Sequence, residues 1–202
     1  LTGASNGLNQ IIEKRVDGLM TRTSNRPLPT GRMGTGAALT YSVIAGGIGL
    51  FCLFGLNPLS GWLGVTALVS YAFIYTPLKA KTTMSVFVGA IPGALPPMIG
   101  YVAATGDFGI EPATLFAVQF MWQFPHFWAI AWVVYDDYKA GGFSLLPSKE
   151  GRDKNSAFQI LVYSLAMIPF SLLPWVLGWT GTATLIIATG ASAIFFLYAY
   201  KL

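Results

Sequence analysis

Residues 33–78 read MGTGAALTYSVIAGGIGLFCLFGLNPLSGWLGVTALVSYAFIYTPL, a run without one Asp, Glu, Lys or Arg. About 20 apolar residues are enough for a helix to cross the hydrocarbon core of a bilayer, so the run is long enough for two. Its middle, Gly55-Leu56-Asn57-Pro58-Leu59-Ser60-Gly61, is turn chemistry, rich in the residues that punctuate helices. The segment therefore predicts two spans, 35–55 and 60–77, joined by a tight turn.

Outward from it, Thr82–Gly106, Pro112–Tyr135 and Asn155–Tyr200 are equally free of those charges, and the last is broken at Gly178-Trp179-Thr180-Gly181-Thr182. Further spans are expected at 84–104, 112–134, 156–177 and 182–200, which makes six, with residues 1–12 as the tail of a seventh. Pro92, Pro96, Pro97, Pro125, Pro169 and Pro174 fall inside spans and should kink them, which membrane bundles tolerate when neighbours satisfy the freed carbonyls. The expected fold class is all-α, a polytopic transmembrane helix bundle forming one domain over residues 1–202. Leu1 opens the chain without Met and Leu202 follows an apolar run, so truncation at both ends is expected.

Composition agrees. The 202 residues are 54% hydrophobic and only 10% charged, where a soluble domain carries about 25% charged residues, and the mean hydropathy is +0.60. A net charge of +4 would suit nucleic acid, but the positions of the charges point to the lipid bilayer instead. The spans sort the loops into two sides: 13–34, 78–83, 135–154 and Lys201 on one, and 56–60, 105–111 and 178–182 on the other. All 12 basic residues (Lys14, Arg15, Arg22, Arg26, Arg32, Lys79, Lys81, Lys139, Lys149, Arg152, Lys154, Lys201) fall on the first side. The positive-inside rule makes that side cytoplasmic. Cys52 stands alone in an apolar run, so neither a disulfide framework nor a thiolate cluster is expected.

The rule accounts for the cations but not for the acids among them. In Asn9-Gln-Ile-Ile-Glu13-Lys-Arg-Val-Asp17 the spacing of four puts three oxygen-bearing side chains on one helix face. Hard oxygens suit Mg²⁺, which takes one or two carboxylates and completes its shell with water and substrate phosphates. Arg22, Arg26 and Arg32 follow, and the guanidinium fork fits phosphate oxygens. Tyr75-Thr-Pro-Leu-Lys79 and Asp136-Asp137-Tyr138-Lys139 add a cation and a second acidic pair on the same side. Acids and cations on one face of an apolar bundle describe a metal–diphosphate site beside a greasy cavity, for which a lipid diphosphate is the matching substrate. The bland alternative is a set of juxtamembrane salt bridges.

Asn-x-x-x-(Asp/Glu)-x-x-x-Asp followed by Asn25-Arg-Pro-Leu-Pro29 and Gly31-Arg32 resembles the first motif of the UbiA-type intramembrane prenyltransferases. Ala90-Ile-Pro-Gly-Ala-Leu-Pro-Pro97, Phe120-Met-Trp-Gln-Phe-Pro-His126-Phe-Trp and Asp136-Asp-Tyr-Lys-Ala-Gly-Gly-Phe-Ser-Leu-Leu-Pro147 are similar to the haem-farnesylating branch of that family. The resemblance runs over nearly the whole chain and implies a nine-helix bundle around a central cavity. It also implies a Mg²⁺-dependent transfer from farnesyl diphosphate to haem B, giving haem O, in a bacterial inner membrane, with haem A synthase or oxidase assembly as partner. By the same likeness, Asn9, Glu13, Asp17 and Asp137 would hold Mg²⁺–diphosphate, with Asp136 beside them. Arg22, Arg26, Lys79 and Lys139 would contact the diphosphate. Two positions depart from the family pattern: Glu13 stands where Asp is common, and Val133 where the second motif often has Asp four residues before Asp137.

His126 is the single histidine and lies inside a predicted span, where an ionisable group is a functional candidate. It reads either as a haem contact, to the iron or a propionate, or as a neutral histidine hydrogen-bonded beside Pro125. The neighbouring Trp122, Phe124, Phe127 and Trp128 read as apolar bulk. A sister prenyltransferase acting on a quinone or chlorophyll precursor would share the diphosphate site without needing His126. A transporter would spread polar residues across the midplane, and an assembly subunit would leave Asn9, Glu13 and Asp17 without a purpose.

Overall fold

The turn expected at the centre of residues 33–78 forms around Asn57. Helix α3 (Thr35–Leu56) ends there and α4 (Pro58–Val69) begins, with Asn57 as N-cap accepting from the Ser60 backbone N–H at 2.8 Å and Pro58 in the first turn. The Asn57 amide also donates to the Val102 carbonyl at 2.9 Å. That bond ties this turn to the end of α6 (Ser85–Thr105), which Gly106 closes in the left-handed conformation at φ +77°. The computed structural model describes residues 1–148 and 150–201; Lys149, one of the basic residues above, and Leu202 lie outside them.

The span begun by α4 does not continue as a plain α-helix. Ser70–Tyr75 winds as a π-helix before the short α5 (Thr76–Leu78), and the Thr76 hydroxyl donates to the Tyr71 carbonyl at 2.9 Å. The remaining helices are α1 (Thr2–Ile12), α2 (Lys14–Asp17), α7 (Ile110–Val133), α8 (Tyr135–Ala140), α9 (Lys154–Ser171), α10 (Leu173–Val176) and α11 (Thr182–Ala199). No strand occurs among the described residues.

Among the described residues, five segments have both the length and the apolarity to cross a bilayer: Thr35–Leu56, Pro58–Leu78, Ser85–Thr105, Lys154–Val176 and Thr182–Ala199. Six were expected. The remaining one, α7, has 24 residues and so the length, but Gln119, Gln123 and His126 within it make it more polar than the others. The segment Lys154–Val176 is interrupted at Leu172, between Pro169 and Pro174, where the imino acids remove helix donors.

The helices pack in chain order, α1 on α3, α3 on α4, α4 on α6, α6 on α7, α7 on α9 and α9 on α11, as short connections require. Where α1 meets α3, Gly7 lies against Ser42 and Gly46 against Ala4, small residues that let two membrane helices approach closely. The core is apolar, with Phe124, Trp128 and Ile160 buried, but unlike that of a water-soluble protein the outside is apolar too. Phe51 is 80% exposed while Asp17 is 0% exposed. Large apolar side chains such as Ile48, Phe51, Phe73 and Ile186 cover the outside, the arrangement expected when the surrounding solvent is hydrocarbon rather than water. The chain is a multi-pass membrane protein.

Candidate active site

Asn9, Glu13 and Asp17 are all buried at one end of the bundle. The α1 helix stops at Ile12 and α2 restarts at Lys14, so Glu13 sits at a slight break between two helical turns. The Asn9 amide donates to Glu13 Oε2 at 2.9 Å and to the Thr76 hydroxyl at 3.2 Å. Thr76 is in reach because the π-turn has brought it round to face α1.

Each carboxylate has its own cation. Lys79 Nζ stands 2.6 Å from Glu13 Oε1, and one Arg26 Nη reaches both Asp17 oxygens at 3.1 and 2.9 Å. The loop between α2 and α3 turns Arg26 back onto Asp17. Its path is fixed by the Thr23 hydroxyl donating to the Asp17 carbonyl at 2.9 Å and by the buried Leu28 of the Asn25–Pro29 segment. Burial pushes the Lys79 ammonium below its ordinary pKa, and the Glu13 carboxylate works against that shift.

The third loop closes over this pair. Asp137 accepts the backbone N–H groups of Thr21 at 2.6 Å and Arg22 at 3.2 Å. Desolvation works to raise its pKa, but those two N–H donors outweigh it and hold the carboxyl below its ordinary value. At Gly142, φ +75°, the chain turns back on itself, and the Phe143 N–H donates to the Tyr138 carbonyl at 2.8 Å in the manner of a Schellman end. Phe143 thereby comes under Lys79, whose Nζ is 5.3 Å from its ring centre, and Phe143, Leu145 and Leu146 are buried. Arg22 lies over the Tyr138 ring at 5.8 Å, and burial raises the Tyr138 phenol.

Tyr75 links this polar end to an apolar cavity. Its ring is 5.2 Å from Lys79 Nζ and lines a cavity of about 590 Å³ between α1, α3, α4 and α6. Tyr71, Pro92, Pro96 and Phe127 form other parts of the wall. Such a volume lies within the range of ligand pockets.

Not every candidate from the sequence joins the cluster. Asp136 is exposed and pairs with Arg152 at 3.3 Å. Lys139 is exposed on α8, and no ion pair involves it among the described residues. His126 is half-buried on α7, stacked on Trp122 with ring centres 4.0 Å apart. Two participants carry no sequence signal of their own. Thr76 is one more hydroxyl residue in a span. Arg152 looks like any basic loop residue, yet it donates to the carbonyls of Trp132 at 2.6 Å and Val133 at 3.1 Å, capping α7.

No group of three or more His, Cys, Asp or Glu side chains converges among the described residues. Two carboxylates and an amide lie along one helix face, the Asn9 amide on Glu13 and each carboxylate beside a cation. That donor set fits a hard cation that takes most of its shell from water and phosphate oxygens.

The sequence profile of the UbiA prenyltransferase family matches residues 1–202. The chain is 53% identical over 181 residues to the protoheme IX farnesyltransferase of Flavobacterium psychrophilum, covering 90% of this chain and 60% of that protein. It is 52% identical over 190 residues to the Christiangramia forsetii protein of the same name, covering 94% and 63%. With the Cytophaga hutchinsonii protein of that name it shares 47% over 207 residues, covering 100% and 72%. The chain thus spans about three fifths of the length of the first two relatives. No solved structure matches it.

Proposed function

The chain belongs to the UbiA prenyltransferase family, and we propose that it carries the active-site end of an enzyme that transfers farnesyl from farnesyl diphosphate to a vinyl group of haem B, giving haem O. Two buried carboxylates, Glu13 and Asp17, each paired with a cation, Lys79 and Arg26, beside an apolar cavity walled by Tyr75 carry this reading. The names of the relatives support haem as acceptor.

In this reading Arg26 and Lys79 bind diphosphate oxygens, with Arg22 at the rim and Lys139 as an outer contact. Asn9, Glu13, Asp17 and Asp137 would hold Mg²⁺, with Asp136 beside them. When bound, Mg²⁺ supplies charge that stabilises the departing diphosphate. The cavity takes the isoprenoid chain and keeps water from C1. The C1–O bond of farnesyl diphosphate breaks and diphosphate departs. The terminal vinyl carbon of haem bonds to C1, water adds its oxygen to the inner vinyl carbon, and the water's second hydrogen leaves as a proton. The loop after α8, with Phe143 against Lys79, covers the diphosphate. His126 is the contact to haem.

Residues 1–202 are read as one domain, with the basic loops on the cytoplasmic side of a bacterial inner membrane, supported by the charge asymmetry and the bacterial relatives. A partner that takes up haem O, such as haem A synthase or an assembling oxidase, belongs to the same reading and rests on the family resemblance.

Membranes containing the full-length protein, given haem B, farnesyl diphosphate and Mg²⁺, should form haem O detectable by mass spectrometry, and EDTA should abolish it. Farnesylation of an aromatic acceptor without haem O would move the protein to the quinone branch. No transfer to any acceptor would reduce the acid–cation pairs to structural salt bridges.

A further inference from the structure

Four residues before Tyr75, the π-turn carries a second tyrosine. Tyr71 is half-buried and lines the same apolar cavity, its ring 5.6 Å from that of Tyr75 and tilted by 48°. Its carbonyl accepts the Thr76 hydroxyl, which fixes it to the turn that faces α1. The charges of Glu13 and Arg26 act on the Tyr71 phenol, so the ring belongs to the polar end of the cavity rather than to its depth. The two tyrosines are not equivalent. The Tyr75 ring is buried, with Gly89 packed against it and Lys79 Nζ 5.2 Å from its centre. No Lys or Arg lies over the Tyr71 ring among the described residues.

We infer that Tyr71 is a catalytic residue whose ring face stabilises the positive charge that forms on the farnesyl chain as diphosphate leaves. The inference rests on the prenyltransferase reading above and adds a group to its reacting centre. Heterolysis of the C1–O bond sends the electron pair out with diphosphate and leaves an allylic cation, its charge shared between C1 and C3. The vinyl π pair then forms the new C–C bond to C1, and Tyr71 itself gains and loses nothing. Such a cation needs negative potential from a group that does not capture it. The Glu13 and Asp17 carboxylates already have their own cations, and a free carboxylate would bond to C1. The α6 part of the wall, from Gly89 to Pro96, carries neither a charged nor an aromatic side chain. An aromatic face supplies negative potential through its quadrupole, and its attraction for a cation grows where water is excluded. The neutral chain of the ground state gains little from it, so the contact favours the transition state.

The test uses the full-length protein with haem B, farnesyl diphosphate and Mg²⁺. Tyr71→Leu, which keeps an apolar wall, should lower the single-turnover rate of haem O formation about thirtyfold, equivalent to about 2 kcal/mol. Its Kd for farnesyl diphosphate should stay within about twofold of the parent, as expected of a contact made only in the transition state. Phenylalanines of rising fluorine content at position 71 drain the negative face while barely changing its size, and the logarithm of the rate should fall steadily along that series. An ammonium analogue of the farnesyl cation, bound together with inorganic diphosphate, gives a readout free of turnover. Tyr71→Leu should weaken its binding about tenfold or more, against about twofold at most for farnesyl diphosphate. Where Tyr71→Leu does not fold, the fluorine series decides. A flat fluorine series, or equal weakening of the analogue and of farnesyl diphosphate, would overturn the role of Tyr71. A parent protein that transfers farnesyl to no acceptor sinks the prenyltransferase reading instead, whereas transfer as fast in Tyr71→Leu as in the parent sinks this inference alone.

Discussion

Glu13 and Lys79 come from segments 66 positions apart in the chain, and their 2.6 Å contact sets two expectations. Glu13→Gln or Asp17→Asn should lower the rate of haem O formation by about 10²–10³, the scale on which one preorganised charged contact acts, with the protein still inserted in the membrane. The buried Lys79 has a pKa below its ordinary value, so the alkaline limb of the pH–rate profile should begin below pH 10.5, the ordinary lysine value. Lys79→Arg should push that limb upward, because guanidinium stays charged. For stability the sign is opposite. Between the folded and unfolded pKa the unfolded chain binds the proton more tightly, so the Lys79 contribution to stability rises with pH across that window. Glu13 and Asp17 were readable from their spacing of four. Their individual partners were not, because spacing within one helix says nothing about which distant cation comes to meet it.

At the scale of elements, the segment from α8 to α9 depends on two devices. Gly142 at φ +75° has open space where a side chain would go, so Gly142→Ala acts through backbone strain alone. It should cost about 1 kcal/mol and raise KM for farnesyl diphosphate by loosening Phe143. Arg152 holds the far end through the Trp132 and Val133 carbonyls and Asp136. Arg152→Ala should expose residues 141–153 to limited proteolysis and faster hydrogen exchange, and Arg152→Lys should restore only part of the protection, because an ammonium lacks the fork. Span boundaries were legible to within two residues because charge-free runs and turn residues mark them. The break at Leu172 was marked in the sequence by Pro169 and Pro174; the π-turn was not, since it arises from how one helix meets its neighbours rather than from composition.

For the whole molecule, the bundle gathers loops 13–34, 78–83 and 135–154 at one end and leaves Asp107 and Glu111 near the other. With Cys52→Ser as background, Asp107→Cys should react with a membrane-impermeant maleimide from outside intact cells. Lys154→Cys should react only after permeabilisation. The reverse pattern would invert the proposed orientation. The bundle itself was foreseeable from hydropathy. A greasy cavity beside the polar end was expected as well, but not the side chains that wall it, because a cavity is what side chains from several helices jointly fail to fill.

The π-turn at Ser70–Tyr75 separates two properties of its span, how far it reaches and which way it points. Removing the exposed Phe73 would shorten the helix by only about 1.5 Å, too little for the bilayer to register. It would rotate everything beyond by about 100°, one residue's share of a 3.6-residue turn. Thr76 would then swing off Asn9, and Lys79 off Glu13. A chain altered in this way would insert, fold and accumulate like the parent, yet its polar end would be out of phase and unable to receive a diphosphate.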